Sequence, residues 1–371
     1  MKIVIAGPAG NYGGLEVHMS ELIRFLAASG HSLLCIQVLN TTATQSSNGS
    51  TIQVPDWPGL RGKVAKIIYW AYSCLRVRVF APDLLISAGI GHGYSWLSRL
   101  SGAGCFTVLQ IVTDDFSHAA GSLHRIIGSF DAIGPQTPTL KQKLATSLDS
   151  SLPAEVLPCF HQIVRSNSRL IPCPPSVDGI RLSYFGRLAG NKGLPLLVRA
   201  VQKLGSPLLA SLDLWGVGPV RDELNELLRQ LPEINSIINL KGCYPAGQAY
   251  TDLLASYHGL VLPSQACEGL PLVLLEAASV GLPVLATRIG GIQDFSADNQ
   301  DVVAIDVGLH SLCKGLEDFL SKIHSGHFNR CRQQAFFNRY YSRASIEETW
   351  QSMLMDVPKF FGISGKSSRS C

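Results

Sequence analysis

Two glutamates in the stretch CEGLPLVLLEAASVGLPVLAT (267–287) are of the right type and spacing to do chemistry. Glu268 precedes Gly269, Leu270 and Pro271, and Glu276 follows among Leu272, Val273, Leu274, Leu275, Ala277 and Ala278. A carboxylate set into an apolar helix is costly unless something hydrogen-bonds it, so it points to a partner in the protein or to a ligand. With Pro271 at the first helical position, Glu276 lies about two turns into the helix, and the carboxylates are up to ~12 Å apart. That exceeds the about 5–9.5 Å of two carboxylates that share one glycosidic bond. The spacing suits instead two parts of one extended ligand, with the helix N-terminal N–H groups near Gly269 and Leu270 open to a phosphate. The plain alternative pairs Glu276 with a buried arginine and leaves Glu268 in water.

Two further stretches carry signals. In AGPAGNYGG (6–14), Gly13 and Gly14 open the first helix, where glycine permits close backbone approach to a ligand. The run is not G-x-G-x-x-G, and no ribose-binding acid follows the second strand, which argues against a nicotinamide dehydrogenase. In GLRGKVAKIIYWAYSCLRVRVFAP (59–82), Arg61, Lys63, Lys66, Arg76 and Arg78 occur without an acid, interleaved with Ile67, Ile68, Trp70, Tyr72 and Leu75. A basic amphipathic helix of this kind can lie on an anionic membrane, and residues 59–80 are the expected contact. The alternative is a helix packed on a sheet with its basic face in water.

These residues need a scaffold, and the hydrophobic pattern supplies one. KIVIAG (2–7), SLLCIQVL (32–39), DLLISAG (83–89), CFTVLQIV (105–112), FDAIGP (130–135) and AEVLP (154–158) read as short buried strands with helical patterns between them. TTATQSSNGST (41–51) reads as a polar loop. LIPCPPSVDG (170–179) reads as a linker. The pattern then restarts with RLSYFG (181–186), SLDLWG (211–216), SIINLKG (236–242), GLVLPS (259–264), PVLAT (283–287) and DVVAID (301–306). The expectation is α/β: two Rossmann-like doubly wound domains facing across a cleft, at 1–170 and 171–343. A last helix and tail, 344–371, pack back on the first domain. Ligands of such sheets bind beyond the carboxyl ends of the strands, which places the motifs in strand-to-helix loops.

Composition excludes several classes. The 371 residues are 46% hydrophobic and 16% charged, enough for two buried cores and far from a disordered chain. The formal net charge of +4 lies wholly in residues 1–175. It is too small for a nucleic-acid partner but suits an anionic membrane or substrate. The 10 cysteines are scattered without a C-x-x-C pair and read as reduced thiols. Neither a signal peptide nor a spanning run is evident, so the expected location is cytoplasmic, peripheral on the inner face of the membrane.

The ordered set P-S-x-x-x-E-G-L-P-L-V-L-L-E-A-x-x-x-G-L-P-V-L-A-T, with Gly290 and Gly291 after it, resembles the donor site of retaining glycosyltransferases of family four, which have the GT-B fold. FGRLAGNKG (185–193), LWGVGP (214–219) and AGPAGNYGG extend the resemblance over most of the chain. It is strongest in residues 181–296. The resemblance implies a nucleotide-sugar donor held by the second domain, and a glycan or lipid-linked acceptor, such as a cell-envelope precursor, held by the first. Glu276 would accept from the ribose hydroxyls, and Glu268 would lie near the donor sugar. Arg187 and Lys192 match the basic pair that neutralises the diphosphate, removing a strict need for a metal. Gly13, Gly14, Gly216, Gly218, Gly269 and Leu270 would complete the donor site. After the strand matching CFTVLQIV the family often carries His-Asp or a lone His. Here Thr113 stands in that place, followed by Asp114, Asp115 and His118, of which Asp114 or His118 would orient the acceptor. His92 is another candidate. The departure keeps two rivals open: a non-catalytic nucleotide-sugar or glycan-binding protein, and a nucleotide-sugar epimerase on the same fold.

Overall fold

The computed structural model describes residues 1–7, 14–36, 51–54, 63–113, 122–148, 152–162, 179–266 and 268–363. Gly13, Arg61, Asp114, Asp115, His118 and the expected linker up to residue 178 lie outside the described residues.

Two compact units emerge. One comprises Met1–His161 together with the residues from Ile346 onward, and the other comprises Gln162–Ser345. Each is built on a six-stranded parallel sheet. The first sheet consists of β1 (Lys2–Ala6), β2 (Ser32–Ile36), β3 (Thr51–Val54), β4 (Leu84–Ser87), β5 (Phe106–Ile111) and β6 (Ala132–Pro135), in the order β3-β2-β1-β4-β5-β6. The second consists of β7 (Ile180–Phe185), β8 (Leu209–Trp215), β9 (Ile238–Gly242), β10 (Gly259–Leu262), β11 (Val284–Thr287) and β12 (Val302–Ile305), in the order β12-β11-β10-β7-β8-β9. The two orders are the same topology. In each, the direction of winding reverses between the unit's first and fourth strands, and open α/β sheets bind ligands beyond the strand ends at that reversal. In the second unit the reversal lies between β7 and β10.

The strands are apolar on both faces because both faces are covered. In β1, Ile3 and Ile5 join one core, and Val4 and Ala6 join the other. This is the two-residue alternation of a pleated strand. The Val4 face is covered by the helices Lys63–Phe80 and His92–Leu100, through Tyr69, Cys74, Val77, Tyr94 and Leu97. The Ile3 face is covered by helix Gly14–Ala28 and by the late helix Arg343–Met355, which contributes Ile346, Trp350 and Met353. Trp350 is fully buried, and its indole Nε1 donates to the carbonyl of Pro158 at 2.9 Å.

A buried polar chain ties this face together. The backbone N–H of Phe160 donates to His18 Nδ1 at 2.9 Å, so the ring proton sits on Nε2, which donates to Gln110 Oε1 at 2.7 Å. The His18 ring also stacks on Phe160 at 6.1 Å between centroids. Burial lowers the His18 pKa to about 4, against a smaller opposing effect of the Gln110 hydrogen bond.

Two strand expectations are corrected. AEVLP (154–158) forms only an isolated parallel bridge, Ile133 to Ala154. Pro153 and Pro158 flank it and cannot donate, although Glu155 and Leu157 each donate one N–H toward β6. Conversely, Thr51, the last residue of the expected polar loop 41–51, opens β3, while residues 41–50 lie outside the described residues. Four residues with one neighbouring strand suffice at a sheet edge, where no long apolar run is needed.

Candidate functional site

At the carboxyl end of β7 the chain turns through Gly186, Arg187 and Leu188 into a short 3-10 turn, Gly190–Lys192. At the carboxyl end of β10 it runs through Pro263, Ser264 and Gln265 to Glu268 and on to helix Leu272–Ser279. The two loops flank the reversal point and are bonded together: the N–H of Gln265 donates to the Asn191 carbonyl at 2.7 Å. Gly193 has φ +68°, and a Cβ there would stand 2.1 Å from the Pro263 carbonyl oxygen. Only glycine allows that approach in that conformation.

This stitching delivers Lys192 to Glu268. The Lys192 ammonium donates to Glu268 Oε1, which also accepts from the fully buried Ser264 hydroxyl at 2.6 Å. Glu268 is 8% exposed, so it is a desolvated carboxylate with a charged and a neutral donor, not a solvated one. Its backbone is fixed as well. Gly291 N–H donates to Gly269 O at 3.0 Å, and a Cβ on Gly290 would come 1.7 Å from Glu268 O. Arg187 is exposed, and its guanidinium has no hydrogen-bond or ion-pair partner among the described residues. Its main-chain carbonyl accepts from Tyr184 at 2.8 Å, which pins the start of the loop. One cation is thus neutralised and a second stands beside it unspent.

Gly216 and Gly218, in the turn after β8, act through backbone contact. A Cβ on Gly216 would meet Gly186 O at 1.8 Å, and one on Gly218 would meet Leu188 O at 2.2 Å. They let the β8 loop press against the Arg187 loop. Leu270 is buried in the core of the second unit.

The partner of Glu276 is not an arginine. Tyr250, on helix Gln248–Ala255, donates its hydroxyl to Glu276 Oε2 at 2.6 Å. Burial raises the Glu276 pKa, only partly offset by that hydrogen bond. Tyr250 is itself raised by burial and by the Glu276 charge. The carboxylate lines a small cleft whose wall includes Gly247, Tyr250, Thr251 and Ser279. Next to Tyr250 lie Tyr244 (5.1 Å between centroids) and Phe185 (5.3 Å), and Phe185 stacks on Trp215 at 6.0 Å. The helix bearing Glu276 starts one residue later than expected: Pro271 is its extended N-cap, and no side chain caps the first turn.

The described structure therefore groups Arg187, Lys192, Glu268 and the Gly216 turn around one strand reversal, and it places Glu276 on the helix that leaves it. Ser264 and Tyr250 were not singled out by sequence. Ser264 stands in the P-S-x-x-x-E run, four positions before the carboxylate it meets, but a lone Tyr on a short helix has no spacing that betrays a carboxylate neighbour. In the first unit, Gly14 opens helix Gly14–Ala28, Thr113 follows β5, and His92 starts helix His92–Leu100 with an exposed side chain. Among the described residues no cluster of His, Cys, Asp and Glu could hold a metal ion.

Known proteins resemble the chain both in sequence and in fold. Residues 179–322 match the family described as Glycosyl transferases group 1. The sulfoquinovosyl transferase of Arabidopsis thaliana is 37% identical over 118 residues, 32% of this chain and 21% of that protein. A phosphatidylinositol N-acetylglucosaminyltransferase subunit from the same plant is 29% identical over 319 residues, covering 79% of this chain and 68% of that protein. In three curated relatives of this domain the chain spans 21%, 30% and 29% of their length. The fold is that of the Anabaena protein HepE solved in complex with UDP: TM-score 0.76 at 16% identity, over 96% of this chain and 100% of that one. The two Rossmann-like units are the GT-B fold.

Proposed function

We propose that the chain is a retaining glycosyltransferase that moves a hexose-type sugar from a nucleoside diphosphate sugar to a hydroxyl of a lipid-linked or cell-envelope glycan precursor, in the cytoplasm. The observation that carries this reading is the convergence of Arg187, Lys192 and Glu268 on the carboxyl-end loops of β7 and β10, in a group 1 domain. Breaking the bond to a nucleoside diphosphate develops negative charge on the leaving oxygen, and fixed cations aimed at it stabilise the transition state. Arg187, whose charge is unspent, supplies that role, and Lys192 joins it when the donor sugar engages Glu268. The uncapped first turn of helix Leu272–Ser279 offers further N–H donors to the diphosphate. Metal is then not required for charge neutralisation, and turnover is expected to survive a chelator.

Glu276, its Oε2 occupied by Tyr250, has Oε1 for a ribose hydroxyl. The binding of UDP by the HepE protein and the lipid and glycan activities for which the relatives are named support the substrate classes. Asp114 or His118 is proposed to orient the acceptor hydroxyl. In a front-face mechanism the leaving phosphate takes the acceptor's proton, so neither needs to be a strong base.

The test is a thermal-shift screen with UDP-, GDP-, ADP- and dTDP-sugars, with Glu276→Ala beside it. A ligand that binds only the folded state stabilises it by about 2.7 kcal/mol at a hundredfold excess over its Kd. One responding base, lost in the variant, supports the donor site. With that donor, nucleoside diphosphate release that depends on an acceptor supports transfer, and NMR of the product anomer reads retention. Donor binding with no release under any acceptor would replace the enzyme by a binding protein. Product without an acceptor would replace it by an epimerase.

A further inference from the structure

Helix Lys63–Phe80 turns only part of its surface toward the sheet. Tyr69, Cys74 and Val77 are buried there, while Val64, Ile67, Ile68, Leu75 and Val79 are 71%, 54%, 47%, 59% and 75% exposed. Those positions follow one another at three, one, seven and four residues, a single stripe along one side of a helix. The neighbouring helix His92–Leu100 covers the same sheet face and adds Trp96 (39% exposed) and Leu100 (51%). The two helices lock together where Trp70 sits over Gly93, at a place where a Cβ would lie 2.0 Å from the indole, and against the Tyr94 ring at 4.9 Å. Their outward sides therefore lie beside each other and point away from the same sheet face. More than half of the large hydrophobic side chains exposed among the described residues belong to this pair of helices. Scattered exposed apolar residues need no explanation, but an apolar band of this continuity marks an interaction surface.

Its charges name the partner. Lys63, Lys66, Arg78 and Arg99 are exposed on the two helices, and neither helix contains an acid. We propose that this face seats the first unit on an anionic lipid bilayer, the apolar stripe and Trp96 entering the headgroup layer and Lys63, Arg78 and Arg99 beside it meeting lipid phosphates, while Lys66 lies on the far side of its helix. A second copy of the chain is the poorer occupant, because a self-complementary contact would set basic residues against basic residues with no acid on either helix. Tyr69, Cys74 and Val77 hold the helix flat on its sheet, which fits lying in the interface and not crossing it. The assignment differs from the sequence expectation. Trp70 is spent on packing, Tyr72 accepts from Arg76 at 2.9 Å, and the second helix joins the contact.

The test is co-sedimentation of the full chain with vesicles of equal parts phosphatidylglycerol and phosphatidylcholine, against phosphatidylcholine alone, at low and high salt. Binding is expected only to the anionic vesicles, weakening as salt rises. The pair Lys63→Gln and Arg78→Gln should lower the partition coefficient about 30-fold, from the roughly fivefold that each basic residue contributes at an anionic surface. Ile67→Ser with Leu75→Ser should lower it at least about tenfold, given ~25 cal/mol per Å² of apolar surface removed from water. These side chains are exposed, so both variants should keep the circular dichroism and the donor-induced thermal shift of the parent, which separates failure of docking from failure of the donor site. Equal binding to both vesicle types, unchanged partition of either variant, or a soluble dimer that the apolar variant dissociates without vesicle binding would each overturn the proposal.

Discussion

Acidifying the solution from about pH 7.5 to about pH 4.5 is expected to weaken the first unit through His18, whose ordinary pKa of about 6.5 falls inside that window. The ring is wholly buried, accepts at Nδ1 from Phe160 N–H and donates at Nε2 to Gln110. A second ring proton would face an N–H that already points at it, and the charge would sit among Phe160, Trp350 and β1. The folded pKa is accordingly lowered from 6.5 to about 4, chiefly by burial. A depressed folded value means that stability is whole above the unfolded pKa, falls between the two values and is lost below the folded one. A shift of about 2.5 units at ~1.36 kcal/mol each gives a loss of roughly 3 kcal/mol across the window. The second unit has its own lowered histidine, His258, also at about 4 through burial and the Arg181 and Arg330 charges, so the two units must be read separately. Urea titrations read peptide by peptide, by a short deuterium pulse and mass spectrometry, do this. His18→Asn, whose Oδ1 can still accept from Phe160, should be less stable at neutral pH, because it loses the ring stacking. Between the two pKa values its β1 and β4 peptides should lose about 1.4 kcal/mol less per pH unit than the parent's, the share of one proton. The β8 peptides should be unaffected. An equal acid slope in the parent and the variant would refute the argument.

Glu276→Gln keeps an acceptor for Tyr250 but removes a carboxyl whose pKa is raised by burial, and whose ionised form therefore costs stability at neutral pH. Calorimetry should show a higher Tm without ligand and donor affinity weakened about 10- to 100-fold, from the roughly 1.5–3 kcal/mol of a hydrogen bond to a charged group. Arg187→Ala should leave urea stability within about 0.5 kcal/mol, since the side chain has no partner to lose among the described residues. Its kcat should fall about a hundredfold or more if it meets the leaving diphosphate. Lys192→Ala strands a nearly buried Glu268 with Ser264 as its remaining side-chain donor, and should destabilise the second unit by about 1–3 kcal/mol in the same titrations. Gly193→Ala, at φ +68° and against Pro263 O, should cost at least about 2 kcal/mol and slow turnover by shifting Lys192.

Strands of the second unit stood out in the sequence because a strand covered on both faces is a short apolar run between breakers, as in GLVLPS and PVLAT. β3 did not, because an edge strand of four residues carries no such run. AEVLP misled because its apolar residues pack on β6, Leu157 against Gly134, without a ladder of their own. At the candidate site, residue types marked Glu268 and Glu276, but their partners come from elsewhere in the chain: Lys192 is 76 positions from Glu268, and Tyr250 is 26 from Glu276. Only the crossover topology makes such pairs neighbours. On the helix Lys63–Phe80, the sequence displayed the basic residues, but which aromatics face outward depends on how Trp70 meets Gly93.

The late helix that plugs the first unit has a consequence for how the chain is made. Ile346, Trp350, Met353, Val357 and Phe361 complete a core whose other buried members lie in the first 161 residues, and the whole second unit intervenes. During synthesis, at ~5–20 residues per second, the leading sheet must wait roughly ten seconds or longer with its Ile3 face covered only by helix Gly14–Ala28, while the unit made after it acquires all of its own residues first. The first unit's core is thus completed only after every residue of the second has been made. The leading sheet's open face is the stretch of this protein most in need of a chaperone's shelter, and truncation before Trp350 would leave it open for good.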